Sequence, residues 1–165
     1  MTDHSYEVSV RWTGDRGTGT SGYRDYGRDH VVTAAGKPDV LGSADPTFRG
    51  DRDRWNPEEM LLAALSQCHM LSYLYVASTL GITVVDYRDR ATASLDVHRD
   101  GSGELTGTVL RPVVTIREDD RVEDARAAHA EANRLCFIAR SVAFPVHHEA
   151  EILVLGADAS VGAAG

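Results

Sequence analysis

One segment constrains this 165-residue chain more than any other: Asn56-Pro57-Glu58-Glu59 at one end, Gly81 at the other, and a dense apolar run between them. Asn56 suits the N-cap, Pro57 suits the first helical position where a missing N–H costs nothing, and Glu58 and Glu59 favour the positive end of the helix dipole. Glu59, three residues after the cap, completes a capping box, and Gly81 stands where a left-handed residue ends a helix. The pattern predicts a helix from Pro57 to Leu80. Met60, Leu61, Leu62, Leu65, Leu71, Leu74 and Val76 lie on more than one of its faces, which predicts burial on most sides. One small sheet and one other helix offer little area to cover such a helix, so a dimer is expected.

The flanking segments read as strands and one further helix. Residues 6–12 alternate with period two, as does the stretch after Gly81 from Arg90 to His98; a long antiparallel partner is expected over Leu105–Arg117, beyond the Gly101-Ser102-Gly103 turn. Residues 30–34 suggest a short strand. Val122, Ala125, His129, Ala132, Cys136 and Ala139 recur at helical spacing, predicting a helix over 122–141, and residues 148–155 suggest a last strand. Gly17-Thr18-Gly19-Thr20-Ser21-Gly22 matches the dinucleotide fingerprint in form, but no apolar helical face follows it, so a hairpin connection is the better reading. The order of elements is that of a single α+β domain over residues 1–155, with 156–165 as a small-residue tail expected to be flexible.

Composition narrows the function. Seventeen Lys and Arg against 25 Asp and Glu give a net charge of -8, which argues against nucleic acid and anionic membranes as partners, since both need a basic surface. The polar N-terminus lacks a signal pattern and polar residues interrupt the most apolar run, so a cytoplasmic protein without a membrane span is expected. In that compartment two cysteines are free thiols, ligands or redox groups rather than a permanent staple.

Three readings of Cys68 and Cys136 are open. Both can be small core residues, because free Cys is among the most buried residue types. They can join the His147-His148 pair in a zinc site, although no short local ligand pair supports it. Or they can cycle between dithiol and disulfide. His69 reads as a hydrogen-bonded core histidine and His129 as packing; Met60, Leu61, Leu65, Leu71, Tyr73 and Phe137 would line an apolar pocket if they border the thiols.

The sequence from Asn56 to His69, with Ala132-Asn133-Arg134-Leu135-Cys136-Phe137-Ile138-Ala139-Arg140-Ser141 later in the chain, resembles the OsmC/Ohr family of thiol peroxidases. Glu58 and Cys68 keep the family's spacing of ten residues. The resemblance implies antiparallel sheets packed around a long buried central helix in an intertwined, swapped homodimer. It implies reduction of organic or other, inorganic, hydroperoxides, with no cofactor and no metal, and recovery by a thiol reductant of dithiol or lipoyl type. By position, Cys68 matches the peroxidatic cysteine, Cys136 the resolving cysteine and Glu58 the acidic residue of the site, while Arg16 or Arg49 matches the arginine. Those residue types suit the chemistry: a free thiol is mostly protonated at neutral pH, a guanidinium lowers its pKa, and a carboxylate can aim the guanidinium. Ten residues of helix rise about 15 Å, so Glu58 cannot reach Cys68 of its own helix directly; an arginine bridges the gap, or Glu58 serves the other subunit. A non-catalytic ligand-binding or structural member of the same fold is the alternative, and a metal-dependent hydrolase a more distant one.

Overall fold

The capped segment does what its ends dictate. In the computed structural model, which describes residues 3–156, α1 runs Pro57–Thr79. The Glu59 N–H donates to Asn56 Oδ1 at 2.8 Å and the Asn56 N–H to Glu59 Oε2 at 3.3 Å, a complete capping box, and Gly81 is left-handed with φ 70°. The chain divides into two compact units, residues 1–61 and 62–165, the boundary falling in the first turns of α1.

The first unit is built on a three-stranded antiparallel sheet of β1 (Ser9–Trp12), β2 (His30–Thr33) and β3 (Val40–Gly42), in that order. Trp12 faces His30 across the β1–β2 pair, so the glycine-rich segment 17–22 is a hairpin connection, as expected. Gly14 permits its tight closure: Gly27 N–H donates to the Gly14 carbonyl at 2.7 Å, an approach that a Cβ on Gly14 would block. Polar groups tie down the rest. Ser43 is fully buried and its hydroxyl donates to Asp29, while Arg54 lies between Asp29 and Asp51 at 3.7 and 3.8 Å.

The second unit holds the apolar core. Beside the remainder of α1 it contains β4 (Val84–Asp89), β5 (Thr92–Val97), β6 (Gly103–Leu110), β7 (Pro112–Ile116), α2 (Val122–Leu135), β8 (Val146–His148) and β9 (Glu151–Val154). They form two sheets, β4-β7-β9 and β5-β6-β8. The long strand expected over 105–117 is therefore two strands in different sheets, and the last strand is likewise β8 and β9. The cause is a common bend. Each of three nearly continuous strands breaks at the same level, and Arg111 pins the break: its N–H donates to Asp89, its Nε to Glu149 and its Nη1 to Thr92, all within 2.9 Å. The sheets are mixed rather than purely antiparallel, because β8 and β9 run parallel to β6 and β7 after the chain returns from α2.

Tyr73, Val76 and Ala77 of α1, Ala125, Ala128 and Ala132 of α2, Val114 and Ile116 of β7, and Ile152 of β9 form the core. Small residues on α2 let it lie close against β9. Two expectations need correction. The helix of α1 is buried along one stripe only, Leu65, His69, Tyr73, Val76 and Ala77, while Leu71 and Tyr75 are 61% and 62% exposed. By length and hydropathy α1 is also long and apolar enough to cross a membrane, while Tyr73, Val76 and Ala77 of its stripe pack into the core. And α2 ends at Leu135, so Cys136 is its C-cap in an extended conformation, followed by a short 3-10 turn over Ala139–Ser141. The expected tail, apart from Gly156, lies outside the described residues.

Candidate active site

The thiols meet although 68 residues separate them. Both are free; Cys68 is half-buried on α1, and Cys136 is fully buried where α2 ends. Leaving the helix at Cys136 turns its sulfur toward the next turn, where it accepts the Ala139 N–H at 3.4 Å. Burial pushes the Cys136 thiol up to about 11, and the Cys68 thiol beside it adds to the shift through a side-chain hydrogen bond and through charge. The N–H groups of Ala139 and Ile138 pull the other way and are outweighed. At neutral pH Cys136 is thus a protonated thiol next to a more accessible one.

Behind the thiols lies a buried polar cluster that sequence reasoning resolved only in part. His69 and His129 are fully buried with Nε2 of the first 3.0 Å from Nδ1 of the second, their rings 11° from parallel. His69 is the hydrogen-bonded core histidine expected, but its partner is His129, which is more than packing. Tyr73 stacks on His129 with ring centroids 4.0 Å apart, and its hydroxyl donates to the Ala125 carbonyl at 3.1 Å. His148 of β8 lies against both imidazoles. Nearby, Asp89 accepts from the Ser66 hydroxyl of α1 and from the Arg111 N–H. The available signal was positional: His69 and Tyr73 are one turn apart on α1, and His129 shares the α2 stripe with Ala125 and Ala132.

The other candidates belong to the first unit. Glu58 is half-buried on the first turn of α1; Arg16 is exposed on the β1–β2 connection; Arg49 is exposed, in a left-handed conformation with φ 68° after a 3-10 turn, its guanidinium 5.9 Å from the Tyr23 ring. Arg28 of the same unit, which sequence reasoning passed over, is held where neither the Arg16 nor the Arg49 side chain has a hydrogen-bond partner among the described residues. Arg28 lies 4.4 and 4.2 Å from the Tyr23 and Tyr26 rings and donates to both their carbonyls.

The proposed apolar lining is also redistributed. Leu65 and Tyr73 are core, whereas Leu71 and Phe137 face solvent. A groove of about 700 Å³ runs between the end of α1 and α2, lined by Tyr75, Leu80, Leu135, Arg121, Glu131 and Arg134, and neither thiol borders it. Among the described residues, no three of His, Cys, Asp and Glu are grouped to hold a metal ion.

The family described as OsmC-like protein matches residues 50–151, which include Glu58 and both cysteines but neither Arg16 nor Arg49. An OsmC-like protein of unknown function from Vibrio cholerae, known as VCA0330, is 31% identical, with a TM-score of 0.76 over 91% of this chain and 99% of that one. The organic hydroperoxide resistance protein OhrB of Bacillus subtilis is 21% identical with a TM-score of 0.60, covering 90% and 98% of the two chains, a likeness of fold. The uncharacterized protein YmaD of Bacillus subtilis (strain 168) is 24% identical over 148 residues, 86% of this chain and 89% of its own. With the family pattern spanning both cysteines and the α+β fold shared nearly end to end, this chain belongs to the OsmC-like proteins.

Proposed function

We propose that this protein is a cysteine-based thiol peroxidase that reduces organic hydroperoxides. The observation that carries the proposal is the side-by-side placement of Cys68 and Cys136, both free, on separate elements of one unit. Cys68 is the attacker because it is the accessible thiol. Its thiolate takes the terminal oxygen of ROOH, leaving Cys68–SOH and, after protonation of the alkoxide, ROH. Cys136, protonated and shielded, then displaces the hydroxyl; its proton leaves with that oxygen as water, and a Cys68–Cys136 disulfide remains. A dithiol reductant, of lipoyl type in this reading, restores both thiols and is oxidised to its own disulfide. In this reading Arg16 or Arg49 supplies the positive charge that favours the Cys68 thiolate, and Glu58 orients the guanidinium.

The same proposal makes the protein a cytoplasmic homodimer, each chain one domain over residues 1–155, with no cofactor, metal, nucleic acid or membrane. Each unit has exposed apolar side chains that a second copy would cover, Val8 and Val10 in the first and Leu71 and Tyr75 in the second. A second reading, a binding protein whose cysteines only pack, is favoured by the complete burial and raised pKa of Cys136.

Mass spectrometry after one equivalent of cumene hydroperoxide separates them. The wild type should lose the mass of two hydrogens through an intramolecular disulfide, and Cys136→Ser should gain one oxygen that dimedone can trap. Cys68→Ser should consume no peroxide. A wild type without the disulfide and a Cys68→Ser protein with full activity would leave the packing reading.

A further inference from the structure

His69 and His129 stand apart from the other histidines. Neither faces water, neither has a carboxylate partner, and each bonds the other with a single ring nitrogen. His69 Nδ1 and His129 Nε2 are buried with no hydrogen-bond partner. Leaving a buried polar atom unpaired costs roughly 1–3 kcal/mol, and two apolar residues of similar size would fill the space without that cost. A stability role alone does not account for the pair.

Its place in the fold does. As the chain climbs α1 from Cys68 to His69 to Tyr73, the partners descend α2 from Cys136 to His129 to Ala125. Two hydrogen bonds tie the two elements, the imidazole pair and the Tyr73 hydroxyl on the Ala125 carbonyl, and the free thiols lie beyond the imidazoles. The imidazole tie is the one adjacent to Cys68. A disulfide closes only when its Cα atoms come within about 7 Å with the Cβ atoms pointing together, so a small slide of α2 along α1 separates the sulfurs.

We propose that His69 and His129 are a positioning pair for the dithiol: their shared hydrogen bond sets the crossing of α1 and α2 that keeps Cys136 within bonding reach of Cys68. The purpose assigned here rests on the thiol-peroxidase reading, while the geometry does not. Burial, with the neighbouring His148, holds His69 down to about 4; burial, with His69, His148 and Arg126, holds His129 down to about 3. Asp89 on β4 alone opposes this at His69, Tyr73 faces His129 from α1, and His148 of β8 is itself lowered by burial. The pair therefore stays neutral, and its hydrogen bond intact, across the pH range in which thiols exchange.

The test needs no peroxide. Full-length reduced protein is equilibrated at pH 7 in buffers of graded oxidised and reduced glutathione, and the intramolecular disulfide is counted by mass after alkylation. The reaction is balanced by one oxidised glutathione giving two reduced ones. The double variant His69→Gln, His129→Asn places amide groups where Nε2 and Nδ1 now bond and should keep the wild-type equilibrium within threefold. His129→Leu keeps the bulk, removes the bond, and should shift the equilibrium toward the dithiol at least tenfold. If it gives no cooperative unfolding transition, His129→Gln replaces it under the same criterion, since its amide reaches one bond too far. Failure of the amide pair to rescue, an unmoved equilibrium in the bond-breaking variant, or a wild type that forms no disulfide would each overturn the proposal. Peroxide consumption by the wild type, measured on the same preparation, decides the thiol-peroxidase reading by itself.

Discussion

The two units of this chain are held by different forces. In residues 62–165, side chains from two helices and a sheet bury one another, and Tyr73, Ala77, Val114, Ile116, Ala125 and Ala132 are wholly inaccessible. In residues 1–61 the alternation that makes β1 a strand finds no cover: Val8 and Val10 are each 65% exposed and Trp12 is 44% exposed. That unit is organised by hydrogen bonds and ion pairs, from the indole of Trp12 on the Gly27 carbonyl to the Asn56–Glu59 capping box. The contrast teaches that apolar periodicity announces a face that needs covering without saying what covers it.

The largest effect should separate the units by mutation. Ile116→Ala removes buried methylenes from the second unit and should cost roughly 2–5 kcal/mol in urea unfolding, whereas Val10→Ala in the first should cost less than about 0.5 kcal/mol. A Val10→Ala penalty near that of Ile116→Ala would break the comparison and show that β1 is covered in solution, as a second copy would do.

Acid should then sharpen it. His69 and His129 are held below their unfolded value of 6.5, so the stability they protect is complete above that pH and is lost as pH falls toward 4 and 3. For His69 alone the loss is about 3 kcal/mol when pH has dropped to 4. Both tryptophans, Trp12 and Trp55, lie in the first unit, while α2 and most of α1 lie in the second. On lowering the pH from 7 to 4, helical circular dichroism should weaken before tryptophan fluorescence changes. Simultaneous loss of both signals would mean that the units unfold as one.

The smallest effect concerns the start of α1. Asn56→Ala opens the capping box and should cost about 1 kcal/mol, recovered in large part by Asn56→Asp, in thermal unfolding followed at the helix signal. No loss on Asn56→Ala would show that the first turn is set by packing rather than by its cap.

Much of this was legible in the sequence where the cause was local. Asn56, Pro57, Glu59 and Gly81 fixed α1 to within a residue because caps act over one turn. The spacing of Glu58 and Cys68 pointed to the family, and the family match bears it out. The end of α2 was misread because Cys136 and Ala139 continue the helical period past the point where the backbone turns extended to bring the thiol to its neighbours. The stretch 105–117 looked like one strand because alternation does not register a bend; only Asp89, Thr92 and Glu149, distant in sequence, say that Arg111 is a corner.

By itself, then, the sequence determined the long capped helix, the second amphipathic helix, the hairpin turns and the two cysteines with their family spacing, all set by interactions within a few residues along the chain. Tertiary structure decided which thiol is shielded, that His69 finds His129 sixty residues away, and that one strand serves two sheets. Those outcomes depend on burial and on which polar groups meet across elements, and burial is a property of the assembled fold that no local pattern contains.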